Sequence, residues 1–423
     1  MQPASPTASS RNKTIWLATG AAGIALLLLA YGALTWKGFV ANVGFCQQLF
    51  WDFIQCYYPM GEAVFRNGLP VECYLYSPFI AIVLGLFPLL GLDLSLVIWG
   101  ILQVAAIVLY ALLFFRLVPA RLPIQLLFVA LTLFSYPVWL NFLGGNTGMF
   151  ITVALLGMLL MIERGHYVTA AVLLALAASF KFYPIIFLAP FIARRNIRFL
   201  VLAIAACLAV FVVIPSVVLG GGRTLGFYNA LLNAFQESGW VTVNPHSQFF
   251  PHYVLRLIGV TGAEAPVALL ILQVVSYCIA ALNLIFIHRI QSSQLTRANL
   301  WSVLLVFLTV PFVLKTSWPT EFIFLPFVQA FLIRHAMEHG TEPDPYGSRL
   351  IPGRKRTLII LVLVSALLSS VVFFNLLGNF AVYGHCGFLF LAGILLLIAI
   401  YAELLPALKD SSNLANTVTG DQR

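Results

Sequence analysis

Twelve apolar runs of fifteen residues or more decide what this chain can become: 15–36, 76–90, 94–115, 122–140, 147–162, 168–190, 197–219, 265–287, 298–314, 319–333, 358–377 and 385–405. A bilayer core of about 30 Å takes about 20 apolar residues per helix, so most of these runs are long enough to cross one. They are continuous stretches of Leu, Ala, Val and Phe, not the alternating segments a membrane barrel requires. Hydrophobic residues make up 61% of the chain and charged residues 9%, against about 25% charged in a soluble domain. No water-soluble fold can hide that much apolar surface, so a soluble enzyme, a disordered chain and a nucleic-acid binder are excluded together. The net charge of +9 carries no information about partners, because basic residues collect on cytoplasmic loops for topological reasons.

Alternating the twelve runs from a cytoplasmic N-terminus places 14 basic residues inside and 8 outside, with Lys181 within a span. This bias predicts both termini cytoplasmic, and the chain is expected as a multi-pass protein of the cell (inner) membrane. The first run lacks a small-residue cleavage site and reads as a retained anchor. Residues 1–336 form the main transmembrane module, with long outer loops at 37–75 and 220–264. A Pro/Gly-rich cytoplasmic linker (337–356), a C-terminal helical pair (357–405) and a polar tail (406–423) follow. The first outer loop holds Cys46, Cys56 and Cys73, which would face an oxidising compartment; one disulfide and free thiols are both open.

Polar residues at the membrane boundary are the informative ones. The first outer loop reads Trp51-Asp52-Phe53-Ile54-Gln55-Cys56-Tyr57-Tyr58 and re-enters at Tyr74-Leu75-Tyr76-Ser77-Pro78. Its aromatic density suits an interface-lying helix that begins at Asp52. The plainer role for Asp52 is a helix N-cap; the sharper one is a general base made more basic by partial desolvation. Glu62 and Glu72, in the same loop, are alternates. Lys181 is either paired and functional or snorkels toward Arg194 and the cytoplasmic surface. No cofactor is called for. His246 and His252 lack metal-ligand spacing, and Asp52 has no adjacent acid, which leaves a divalent metal open.

Several of these residues carry a resemblance. Asp52-Phe53, Tyr57-Tyr58, Ala63, Gly68, Tyr74, Tyr76-Ser77-Pro78 and Pro88-Leu89 resemble the N-terminal pattern of glycosyltransferase family 87. Its members are polyprenol-phosphate-mannose-dependent mannosyltransferases of the GT-C superfamily. Gly145-Asn146, then Ala170 to Ala178 leading into Lys181-Phe182-Tyr183-Pro184, is similar to the family's small-residue helix ending in Lys-x-x-Pro. Asn244 to Ser247 followed by Arg256-Leu257 is similar to its Asn-x-Ser and Arg-Leu segment. Ser317-Trp318-Pro319-Thr320-Glu321 keeps a Ser-Trp but lacks the paired histidines that many members carry after it.

The resemblance implies an all-α polytopic membrane protein, a GT-C type bundle of about twelve transmembrane helices with extracytoplasmic loops after helices 1 and 7. It implies a hexosyltransferase that moves a sugar, mannose by default, from a polyprenyl-phosphate donor to an extracytoplasmic lipid or glycan acceptor, inverting the anomeric carbon. Asp52 is then the catalytic base. Tyr57, Tyr58, Tyr76, Asn146, Lys181, Asn244, His246, His252, Arg256, Lys315 and Glu321 are substrate-binding candidates. Arg256, Lys315, His246 and His252 are the outer-side choices for stabilising the departing phosphate. Partners are the donor, the acceptor and membrane lipids, with no nucleic acid. The rival readings are a secondary transporter or lipid flippase, and an accessory subunit of another enzyme. Against a transporter stand the scarcity of intramembrane charge and the absence of internal repeats.

Overall fold

The computed structural model describes residues 48–66, 68–237, 244–262, 264–293, 295–338 and 352–420. The expected first span, Cys46 and most of the 337–356 linker lie outside these residues. Among the described residues there is no strand, and one isolated bridge joins Ser135 to Ser370.

A π-helical turn, Phe53–Tyr57, runs into α1 (Tyr58–Val64). Next come α2 (Pro78–Leu84), a 3-10 turn (Pro88–Leu90) and α3 (Leu92–Leu117), then α4 (Leu122–Leu133), α5 (Tyr136–Gly144) and α6 (Gly148–Glu163). They are followed by α7 (Tyr167–Phe180), the 3-10 segment Tyr183–Leu188 and α8 (Ala189–Ala193). A continuous rod of α9 (Ile197–Leu208), a π-helical stretch (Ala209–Val213) and α10 (Ile214–Leu219) leads to α11 (Gly221–Glu237) and α12 (Phe250–Leu257). Then come α13 (Pro266–Ser292), α14 (Ala298–Val313), the 3-10 turn Pro319–Phe322, α15 (Leu325–Glu338), α16 (Pro352–Leu368), α17 (Val371–Leu377), α18 (Phe380–His385) and α19 (Phe388–Gly420).

Among the described residues four helices are long and apolar enough to cross a membrane: Leu92–Leu117, Ile197–Leu219, Pro266–Ser292 and Phe380–Leu408. A fifth is added if α5 and α6, bent by 118° at residues 145–147, count as one span. The other expected runs that fall within the described residues are present as shorter or broken helices. The breaks fall at prolines: Pro78, Pro88, Pro137, Pro184 and Pro319 each sit in the first turn of their segment. Proline cannot donate the ladder hydrogen bond, and before Pro78 and Pro319 the preceding Ser77 and Trp318 are extended.

The long helices place apolar side chains outward. On α3 Val97, Ile101, Val104, Val108 and Leu112 recur once per turn and are exposed, the stripe a lipid-facing helix needs. By contrast α14 is buried on every face from Asn299 to Phe312. It packs chiefly against α13 and α19.

Contacts sort the helices by end, and here the alternation expected from the twelve runs is corrected. Tyr76 lies 5.4 Å from Tyr57, ring to ring, and Trp99, in the second turn of α3, lies 5.8 Å from the same ring. Residues 76–90 therefore leave and return to the end that carries Asp52. The seven residues of α2 rise about 10 Å, too little to cross. From there α3 runs to the opposite end, where Arg297 Nη1 donates to the Leu117 carbonyl at 3.4 Å.

The run 168–190 errs in the other direction, since it holds two legs. At the Asp52 end the backbone N–H of Ser77 donates to the Ser179 carbonyl at 3.1 Å, just before α2 begins and just before α7 stops. The chain then turns back, and Arg194 reaches Asn299 at the opposite end at 3.2 Å. Lys181 thus belongs to the Asp52 end and does not snorkel toward Arg194. Arg116, Arg121 and Arg164, which the simple alternation puts on the same side as Asp52, lie at the opposite end.

Candidate functional site

Asp52 opens the π-helical turn with helical backbone angles (φ −63°, ψ −36°) and makes no side-chain capping bond. Its residue is already inside the helix, so its carboxylate cannot curl back onto the first turn, and the N-cap reading is overturned. Instead Asn146 Nδ2 donates to Asp52 Oδ2 at 2.6 Å. One-residue π-helical insertions are frequent at functional sites because they re-aim a side chain.

The 145–147 bend that delivers Asn146 is tightly built. Gly145 adopts a left-handed φ of 66°, and a Cβ there would press on Trp99 Nε1 at 2.9 Å and Phe50 Cβ at 3.0 Å. Asn146 Oδ1 accepts the backbone N–H of Thr147 at 2.7 Å, and Gln103 Nε2 donates to the Asn146 carbonyl at 2.8 Å. Gln103 Oε1 in turn accepts from Asn141 Nδ2 at 3.0 Å, and the Trp99 indole donates to the Gly145 carbonyl at 2.9 Å. Gln103, Asn141 and Thr147 were not singled out from the sequence, although a buried glutamine inside a 26-residue apolar helix is the signal that could have found the first.

On the other flank of Asp52 stand two phenols and an ion pair. The hydroxyls of Tyr57 and Tyr76 are 2.6 Å apart, and Thr147 Oγ1 donates to Tyr76 at 3.3 Å. Lys181, in the break between α7 and the 3-10 segment, pairs with Glu321 in the Pro319–Phe322 turn. The Glu321 side chain is 1% exposed and that of Lys181 is 14%. Burial pushes the Asp52 carboxyl up to about 6, against the pull of the Asn146 hydrogen bond and the Lys181 ammonium. The Tyr57 phenol is pushed above its ordinary range, first by burial, so it stays neutral. Asp52 therefore combines three properties a general base needs: it is ionised at neutral pH, unusually basic for a carboxylate, and only partly buried.

A disulfide between Cys56 and Cys73 staples the π-helical turn to the strip that leads into Tyr74 and Tyr76. Tyr58 is partly exposed beside Phe53. Glu62 and Glu72 are exposed and away from this cluster.

The remaining candidates form a second group. Arg256, on α12, donates to the Asn244 carbonyl at 3.2 Å and to the Gly384 carbonyl at 3.5 Å. Ser247 Oγ lies 2.7 Å from His252 Nδ1 and 3.3 Å from the Lys315 carbonyl, while His246 stacks on Phe380. Burial, then the charge of Arg256, holds His246 down to about 3; the same causes with Lys315 hold His252 at about 4. Both imidazoles are neutral near pH 7 and bring hydrogen bonds, not positive charge. Arg256 itself is lowered to about 10 by burial and stays cationic; Lys315 is exposed. Among the described residues no three His, Cys, Asp or Glu side chains converge as metal ligands.

The model of glycosyltransferase family 87 matches residues 74–313, more than half of the sequence. The chain belongs to glycosyltransferase family 87. With its apolar helices this makes it a membrane glycosyltransferase. The family 87 match includes Asn146, Lys181 and Arg256, whereas Asp52, Lys315 and Glu321 fall outside it. Among curated proteins none matches the sequence. Among solved structures, ArnT from Cupriavidus metallidurans in the apo state matches at a TM-score of 0.38 and 15% identity, over 92% of this chain and 80% of that one, a likeness too loose to argue from.

Proposed function

We propose that this protein transfers a hexose, mannose by default, from a polyprenyl-phosphate donor to a lipid or glycan acceptor on the extracytoplasmic side, with inversion and with Asp52 as general base. The observation that carries this reading is Asp52 itself: a partly buried carboxylate gripped by Asn146, flanked by Lys181, and basic enough to accept a hydroxyl proton. In the reaction the acceptor oxygen attacks the anomeric carbon, its proton passes to Asp52, and the bond to the phosphate oxygen breaks with the electron pair leaving on polyprenyl phosphate. Lys181, beside Asp52, and exposed Lys315 are the cations we assign to the departing phosphate; Arg66 and Arg223 are also exposed at this end, and Arg256 lies buried in the second group. Tyr58, partly exposed, offers its hydroxyl and ring face to the sugar, and the buried pair Tyr57 and Tyr76 backs the site.

Two features support an extracytoplasmic Asp52 end. Among residues with described side chains, that end carries five basic groups, Arg66, Lys181, Arg223, Arg256 and Lys315. The opposite end carries twelve: Arg116, Arg121, Arg164, Arg194, Arg195, Arg198, Arg289, Arg297, Arg334, Arg354, Lys355 and Arg356. Correcting the path of residues 76–190 sharpens the positive-inside bias. The Cys56–Cys73 disulfide belongs on the oxidising side of a membrane. The test is release of polyprenyl phosphate from radiolabelled polyprenyl-phosphate mannose by purified protein supplied with a membrane lipid extract. Transfer of label into that extract supports the reading, and absence of both release and transfer with every polyprenyl-phosphate hexose tried refutes it.

A further inference from the structure

Asp52, Lys181 and Glu321 stand as a row of acid, base and acid, brought together from three places where the chain breaks. Asp52 heads the π-helical turn, Lys181 sits between α7 and the following 3-10 segment, and Glu321 sits in the Pro319–Phe322 turn. Glu321 has no route to solvent, and its Oε2 makes no hydrogen bond within the protein. The charged partner of its carboxylate is the Lys181 ammonium, with the neutral Tyr183 phenol beside it.

A buried carboxylate that serves only to neutralise a buried lysine is a costly way to hold two segments together, since an apolar pair of the same size usually does it as well or better. What the pair does that an apolar pair cannot is set the charge beside Asp52. The groups facing Asp52 are Asn146 from the bend, Tyr57 from its own turn, Tyr76 from the re-entry strip and Lys181. The phenols are uncharged, so among the described residues the cation facing Asp52 is Lys181, and Glu321 is its counter-charge. Tyr183 and Tyr76 face the pair as neutral neighbours.

We infer that Glu321 is a positioning residue that acts through Lys181, holding the ammonium beside Asp52 while cancelling most of its charge, so that Asp52 stays basic enough to take the acceptor proton. With Glu321 in place the trio carries one negative charge before proton transfer and none after it. Without Glu321 the ammonium would stand uncompensated, stabilise the Asp52 carboxylate and weaken it as a base. The same turn supports the other flank, because a Cβ on Gly148 would run into the Thr320 carbonyl. The bend carrying Asn146 and the turn carrying Glu321 are thus in direct contact.

The inference rests on the reading of Asp52 as the base, but it can be tested apart from it. In the purified full-length protein, the infrared band of a protonated carboxyl that disappears in Asp52→Asn reports the Asp52 titration without any substrate. Charge logic predicts shifts of opposite sign. Glu321→Gln, which keeps the shape and leaves Lys181 a hydrogen-bond acceptor, should lower the Asp52 midpoint by about one pH unit. Lys181→Gln should raise it by a similar amount, and the double variant Lys181→Gln/Glu321→Gln should return it close to wild type. The double variant leaves no unpaired buried charge, so it and Glu321→Gln decide the matter even where Lys181→Gln alone does not fold. Unchanged midpoints, or shifts of the same sign in both single variants, would overturn the positioning role. If the opposite shifts appear and Asp52→Asn still transfers sugar at the wild-type rate, the positioning role stands and the general-base assignment falls.

Discussion

Replacing Asn146 by alanine removes the 2.6 Å hydrogen bond that Asp52 receives. A hydrogen bond to a charged group contributes about 1.5–3 kcal/mol, and each pH unit of a midpoint corresponds to about 1.4 kcal/mol. Because the bond favours the ionised form, its loss raises the Asp52 midpoint, from about 6 to about 7–8. At pH 7 the ionised fraction then falls from about nine-tenths to between about half and about a tenth. The assay is initial-rate sugar transfer across pH 5 to 9 for wild type and Asn146→Ala. The acid limb should move to higher pH by about one to two units, and raising the pH should restore the part of the activity lost through protonation. Asn146 also caps the start of α6 through its Oδ1, so a pH-independent loss is expected on top. A limb whose midpoint does not move would refute the claim that Asn146 tunes the base.

Gly148→Ala would force the α5–α6 bend off the 319–322 turn; overpacking of this kind costs about 1–3 kcal/mol, read as a lowered melting temperature together with slower transfer. Asp52→Asn should melt higher than wild type at pH 8 and equally at pH 4. A carboxyl raised from 3.8 to about 6 lends stability only while protonated, and loses it as pH climbs through that window, by about 3 kcal/mol. Equal melting at pH 8 would contradict the burial cost. Cys56→Ser, which opens a loop of 17 residues, should cost about 3 kcal/mol and sensitise the loop to protease; unchanged proteolysis would show that the staple is dispensable. In intact cells a cysteine at Arg66 should react with an impermeant thiol reagent and one at Arg121 should be protected. Labelling of both would restore the simple alternation of spans.

The membrane class, the helical architecture and the family were legible because they rest on long uniform signals: continuous apolar runs and motifs kept in order. The path was less legible. Runs 76–90 and 168–190 are as apolar as true spans, and nothing in their hydropathy shows that Pro88 ends one short of a crossing and Pro184 folds the other into two legs. Asp52 stood out by its aromatic surroundings, but its partner could not be read, since the Asn146 contact joins positions 94 apart in sequence. Of the two roles open to Lys181, paired or snorkelling toward Arg194, the choice depends on how many times the chain crosses before it, which hydropathy alone does not show. The pairing of Lys181 with Glu321, 140 residues away, is likewise a product of tertiary packing alone. Residues 244–256 looked like part of one site by motif order. Packing gathers them around the Asn244 and Gly384 carbonyls instead, with both histidines held neutral.

The central claim is that Asp52 removes the acceptor proton. Single-turnover transfer from radiolabelled polyprenyl-phosphate mannose, measured for wild type, Asp52→Asn, Glu62→Gln and Glu72→Gln, tests it most directly. Loss of a general base costs about 100-fold to 10,000-fold in rate. The account predicts a loss of that size for Asp52→Asn with the protein folded and donor binding retained, and near wild-type rates for the two exposed glutamates. Transfer by Asp52→Asn within a few-fold of wild type, with either glutamate variant inactive, would contradict it.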